Sequence, residues 1–238
     1  ILRCLVGSEM CIRDSNLALA EAKGLDVMTT CATSHAIMCN TALDMQRDPV
    51  YASTVNNLVA RTSKVEYGGE SQSWHLVHYL VEEIGLDKVR DAVKNPLKMN
   101  IAAYYGPDMQ REGACAGDDP FMPTYMEQLI EALGGTPIDY ESKCNSVGST
   151  SMLTLEDSSL AMTAAVLSDA IQSGADLIVS ACTISHINLD SYQSKAGRVA
   201  GKNTIVPVCH LSELVAFALG FYPDRLAQLR TRVRLIGS

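Results

Sequence analysis

The chain has 238 residues, 47% of them apolar, and a formal net charge of −8. That supplies a sizeable core for one large domain or two small ones, while its longest apolar run falls far short of the roughly 18 residues of a membrane span. With no Lys/Arg cluster in the body of the chain, nucleic acid is excluded as the expected partner, and eight cysteines with few in disulfide-framework spacing indicate reduced thiols in a cytoplasmic setting.

The first segment, residues 1–15 (ILRCLVGSEMCIRDS), resembles the peptide made when a sequencing-adapter read-through is translated. It is set aside with Cys4 and Cys11, and the first structural unit is then expected to be cut short at its start. Asn16–Lys23 predicts a helix end stopped by Gly24, Asp26–Thr30 a short strand, and Ser34–Met45 a helix with Ile37, Met38, Thr41 and Met45 on one face. Cys31 thereby falls where a strand ends and a helix begins, and the free N–H groups of a helix start stabilise anions such as a thiolate. Val50–Arg61 and Trp74–Ile84 have amphipathic spacing. His75 is a candidate functional residue there, against the blander reading of a helix-start histidine satisfied by backbone. Leu86–Lys94 predicts another helix, and Asn95-Pro96 marks the expected boundary between a first unit, 16–96, and a second, 97–224, with a tail at 225–238.

In the second unit Lys98–Tyr104 predicts a strand entering a long polar loop with Asp108, Cys115, Asp118 and Asp119, and loops of that length are usually functional. Met122–Leu133 predicts a helix, Pro137–Tyr140 a strand, and Lys143–Ser149 a Gly/Ser loop around Cys144. Thr154–Ser173 predicts the longest helix, with Thr154 and Asp157 as an approximate capping box. Gly174–Asp190 reads as a buried strand running into a helix, with Cys182, Ser185 and His186 in the joint. A strand at Thr204–Val208, a helix at Leu211–Leu219 and a last helix from Asp224 follow. Strands alternating with helices imply parallel sheet whose strand ends carry the loops on one rim. Tyr105–Asp108, Cys144 and Cys182 belong there, with Cys209 near another such end.

Two landmarks occur twice in the same order. GLDVMTTCATSHAIM (Gly24–Met38) and GADLIVSACTISHINLD (Gly174–Asp190) share the Gly-x-Asp lead-in, an apolar run and Cys-x-x-Ser-His. Trp74-His75-Leu76 and Cys209-His210-Leu211 form the second echo. The expected fold class is α/β, with two tandem, duplicated α/β units of mainly parallel sheet and flanking helices.

AEAKGLDVMTTC, SWHLVHYLVEEIGLDKV, NIAAYYG, EALGGTPIDY, GADLIVSACTISHINLD and PVCHLSELVAFALGF together resemble the catalytic B subunit of heterodisulfide reductase, with its two cysteine-rich CCG domains. The resemblance runs from Asn16 to about Asp224. It implies a noncubane iron–sulfur cluster in each domain and cleavage of a disulfide between two thiol coenzymes. It also implies electrons from partners, the iron–sulfur C-type and flavin-containing A-type subunits of a cytoplasmic complex. By resemblance Cys31, Cys144 and Cys182 are cofactor-binding positions; the catalytic candidates are Cys144 and Cys182, with His186 added for its place beside Cys182. The motif departs from the family's, however. The five cysteine positions of the second unit read Pro107, Cys144, Asn145, Cys182 and Ser185, the last pair of the first reads Cys31 and Ser34, and Asp108 replaces the histidine after the first cysteine. Clusters are held chiefly by thiolates, so the expected cofactor is lost or altered.

One alternative ligand set is Cys115, Cys144, Cys182 and Cys209, holding a cubane cluster or zinc. Against it, Cys39 and Cys209 read as small core residues and Cys115 as an incidental loop thiol. A Cys182–His186 nucleophile pair is weighed against His186 as a capping or packing residue. Three functions follow: a heterodisulfide-reductase B-like redox subunit, a non-catalytic scaffold subunit that has lost its clusters, and a single-cysteine thiol enzyme using Cys182.

Overall fold

Two parallel sheets organise the computed structural model, which describes residues 15–221. The adapter-like start with Cys4 and Cys11, and the helix expected from Asp224, lie outside the described residues. A first helix, α1 (residues 15–21), leads into β1 (Val27–Thr29), α2 (Ala32–Arg47), α3 (Pro49–Ser63) and β2 (Ser73–His75). Then come α4 (Leu76–His78), a π-helical stretch Tyr79–Gly85, α5 (Leu86–Asp91), β3 (Asn100–Tyr104), α6 (Tyr125–Ala132) and β4 (Thr136–Ile138). The chain continues through α7 (Glu156–Gln172), β5 (Leu177–Ser180), α8 (Thr183–Ser191), α9 (Gln193–Ala200), β6 (Val208–His210) and α10 (Leu211–Ala218). The small sheet pairs β1 with β2, and the large one runs β4-β3-β5-β6, every pair parallel. The α/β class with parallel sheets and flanking helices is the one the alternating pattern predicts.

The duplication is visible in register. Thr29 stands opposite His75 in the small sheet, and Ser180 opposite His210 in the large one. Each of these first strands stops two residues before its cysteine, and each of these second strands ends on its histidine.

Because successive strand residues point to opposite faces, the large sheet feeds two cores. Ile101, Ala103, Leu177, Val179 and Cys209 face one with Leu129, Ile130 and Leu214. Ala102, Tyr104, Ile178 and Val208 face the other with Val166, Leu167 and Leu189. Burial on both sides explains why β3 and β5 read as unbroken apolar runs, and each such Leu or Ile stabilises the fold by about 1.5–3 kcal/mol. Ala32 and Val77 from the small-sheet half sit in the first of these cores, so the two halves share buried surface at the joint.

Several expected elements change. Trp74 opens no helix: Ser73–His75 is a strand, and α4 starts at Leu76. The Thr154–Asp157 capping box is not formed, since Leu155 is the N-cap residue and no side chain caps it. The Leu155 N–H instead closes on Ser151 O at 2.7 Å, which starts the helix two residues late, with Glu156 and Asp157 in its first turn beside the positive end of its dipole. The strand expected at Thr204–Val208 forms at Val208–His210. Thr204 and Val206 are held instead by Gln193, whose amide and carbonyl make bonds of 2.7–3.1 Å with them. Gln193 opens α9, a helix that no sequence signal marked. Asp118 and Asp119 shape their own loop: Asp118 accepts from the Thr124 and Tyr125 N–H groups at the start of α6, and Asp119 from those of Phe121 and Met122.

Candidate functional site

Cys31 and Cys182 are the N-cap residues of α2 and α8, both in extended backbone, with φ of −117° and −131°. The strand pulls each cysteine taut, and the helix after it turns a row of amides toward the sulfur. The two joints meet. The Ala32 N–H donates to Ala181 O at 3.1 Å, linking the peptide after one cysteine to the peptide before the other. His75 Nε2 lies 2.9 Å from the same carbonyl. Its Nδ1 accepts the Val77 N–H, so the ring proton belongs on Nε2 and is donated to Ala181 O. His210 repeats this arrangement loosely. Its Nδ1 accepts the Ser212 N–H, and the Thr30 carbonyl, one residue before Cys31, is the backbone group its ring faces, yet its Nε2 completes no hydrogen bond.

The thiols of Cys31 and Cys182 are hydrogen-bonded to each other across this joint. The hydrogen bond from Cys182 holds Cys31 well below the ordinary thiol range despite burial, and the Ser34 and Thr183 amides help. The same contact, with burial, holds Cys182 above that range. Neither sulfur closes a cap hydrogen bond in strict geometry; the amides act on the charge from slightly longer range. Thr33 adds a third element. Its hydroxyl donates to Asp108 Oδ2 at 2.6 Å and lies 3.3 Å from Cys182 Sγ. Asp108 is anchored in turn by Arg111 at 2.9 Å.

Cys144 follows β4 in a 3₁₀ turn, where burial pushes its thiol up to about 11 against the nearby Lys143, with Glu127 and Asp118 adding to the rise. Cys209 faces the core from the middle of β6, and burial raises it strongly. Cys115 neighbours Cys39, which burial holds at about 11. His186 Nδ1 lies 3.0 Å from Ser180 Oγ, and its ring centroid 5.8 Å from that of His210. All six described cysteines are free. Among the described residues no group of three or more His, Cys, Asp or Glu is placed to hold a metal ion. Cys182 and Cys209 lie in one buried cluster with Cys144 packed against it. The motif positions of the second unit do not fit a cluster held by thiolates: Pro107 has no donor and Asn145 offers a neutral amide in place of a thiolate.

Sequence reasoning missed Thr33, and it missed the packing of His35, His75 and His78, whose ring centroids lie 5.5–5.8 Å apart. Thr33 carries no sequence signal of its own. A helix-spaced His35/Cys39 and the strand-end His75 were the available clues to the histidine cluster.

Fold and site define a class: a duplicated parallel α/β protein whose two cysteine-bearing strand ends meet at the join of its halves. No family model matches the chain. Among curated proteins it is 28% identical over 220 residues to the B subunit of the ferredoxin:CoB-CoM heterodisulfide reductase of Methanosarcina mazei, covering 91% of this chain and 73% of that protein. It is 31% identical over 207 residues to the 8-methylmenaquinol:fumarate reductase membrane anchor subunit of Wolinella succinogenes, covering 86% and 71%. A protein of Archaeoglobus profundus described as like the heterodisulfide reductase B subunit is 28% identical over 225 residues, covering 89% and 73%. The fold also matches a hypothetical protein from Helicobacter pylori with a TM-score of 0.72 at 14% identity, over 96% of this chain and 42% of that one. The chain belongs to the family of heterodisulfide reductase B subunits.

Proposed function

We propose that the chain is a redox subunit of a heterodisulfide-reductase-type complex, exchanging electrons with a thiol/disulfide substrate at the rim formed by Cys31, Cys182 and their neighbours. The observation that carries this reading is the facing of Cys31 and Cys182 across two helix starts, sulfur chemistry kept at the family's site although the cluster motif is incomplete. Electrons would come from an iron–sulfur C-type subunit and a flavin-bearing A-type subunit. The free cysteines suit a reducing compartment such as the cytoplasm. No helix among the described residues is long and apolar enough to cross a membrane.

A second reading, a scaffold subunit, is favoured by one observation: the second unit's motif positions supply only Cys144 and Cys182 as thiols. Co-expression with a C-type subunit tests both. The redox reading expects a stable complex that reduces a disulfide and loses that activity on Cys31→Ser, whereas the scaffold reading expects a complex whose activity is indifferent to that change. Failure to bind the partner contradicts both. The single-cysteine alternative is weaker, because Cys182 is only 2% exposed.

A further inference from the structure

We infer that Cys31 and Cys182 form a reversible dithiol–disulfide couple joining the two halves of the chain, a two-electron site built from the protein's own sulfurs. This deepens the reading above and rests on it for the physiological direction of electron flow.

The geometry suits a disulfide. Such a bond needs Cα atoms roughly 4.4–6.8 Å apart. The 3.1 Å bond from Ala32 N to Ala181 O ties the two cysteines' own peptides together, as in hydrogen-bonded neighbouring strands, where Cα atoms lie on the order of 5 Å apart. Thr33, two residues beyond Cys31, already touches Cys182 Sγ. The two sulfurs also differ in access. Cys31 is half-buried and Cys182 only 2% exposed, which divides the labour between an attacking and a resolving cysteine.

Cys31 Sγ attacks a disulfide RSSR, forming a Cys31–S–S–R bond and expelling RS⁻. Cys182 Sγ then attacks Cys31 Sγ, breaking that bond and expelling the second RS⁻. With Cys31 ionised, the Cys182 proton ends on one leaving group and solvent supplies the proton of the other. In sum, a protein thiolate, a protein thiol, one RSSR and a proton from solvent become one protein disulfide and two RSH, the chain losing the two electrons that the substrate gains. A small dithiol reverses the sequence.

The test treats the reduced full chain with hydroxyethyl disulfide, quenches it with acid, alkylates it and maps the peptides. The expected result is a Cys31–Cys182 linked peptide with loss of two thiols, reversed by dithiothreitol. Cys182→Ser should stop at a stable hydroxyethyl adduct on Cys31, and Cys31→Ser should give neither product. An unlinked Cys31 adduct in the unaltered chain, or linkage confined to Cys39 and Cys115, would overturn the inference without recourse to a variant. Linkage in a chain that binds no C-type subunit would sink the complex reading and leave the couple standing, and partner binding without linkage would do the reverse.

Discussion

The two Cys-x-x-Ser-His segments share backbone, register and helix start, yet their histidines live in different company. His35 is 3% exposed. It packs against the rings of His75 and His78, lies 3.7 Å from Cys39 Sγ and meets Ser73 Oγ at 3.0 Å. His186 has Ser180 and His210 beside it. The difference shows that the repeat preserves the placing of the cysteine more faithfully than the surroundings of the histidine. What both copies hold in common is the sulfur at the helix start.

Acid should expose the contrast most strongly. Burial holds His35 down at about 4, and His75 and His78 at about 3, with neighbouring histidines adding to the last two. These groups stay neutral in the folded chain while the unfolded chain takes up protons below about pH 6.5. Stability is therefore full above that pH and falls as pH drops toward 4, by up to about 1.4 kcal/mol per pH unit for each such histidine. Denaturant melts at pH 7, 6 and 5 should show a midpoint that drops steeply, and His78→Leu should flatten the trend; a midpoint constant over this range would contradict the buried neutral cluster.

Replacing the two strand-end histidines sharpens the comparison. His75→Ala removes a cap and the bond to Ala181 O, and should cost about 2–4 kcal/mol. His210→Ala removes a cap whose Nε2 completes no bond, and should cost about 1–2 kcal/mol. Equal losses in urea titrations would mean that the two joints are held alike. Glu21 sets the next step. Burial opposes its charge, but N–H groups from Gly68, Ser71, Glu70 and Gly69 outweigh that and hold its carboxyl low. Glu21→Ala should cost about 1–3 kcal/mol and raise amide exchange at residues 68–71 while leaving the large sheet protected. The smallest effect is expected from Thr33→Val, about 1 kcal/mol, with faster alkylation of Cys182 as its Thr33 contact is lost; an unchanged rate would detach Thr33 from the site.

Most helices and the apolar strands were legible because burial on one or two faces writes its period into the residues. β1, β3 and β5 follow apolar runs, and α2 and α3 follow helical spacing. β2 was not legible: three residues, Ser-Trp-His, take strand form only because β1 lies alongside. α9 was hidden because its buried contacts, Gln193 and Ala196, carry little apolar signal. For the site, the duplication located Cys31 and Cys182 but not their meeting, since a sequence repeat says that two joints are alike and nothing of whether they face each other. Thr33 and Asp108 became partners across 75 residues of chain, a relation set by packing alone.

Everything turns on whether the two halves bring their sulfurs together. A short thiol-bridging reagent such as dibromobimane, applied to the native reduced chain and followed by peptide mapping, reads this directly. The expected product is a bridge between Cys31 and Cys182 that disappears when the chain is unfolded first. A native chain that carries the reagent on Cys31 alone, with Cys182 still free, would contradict it.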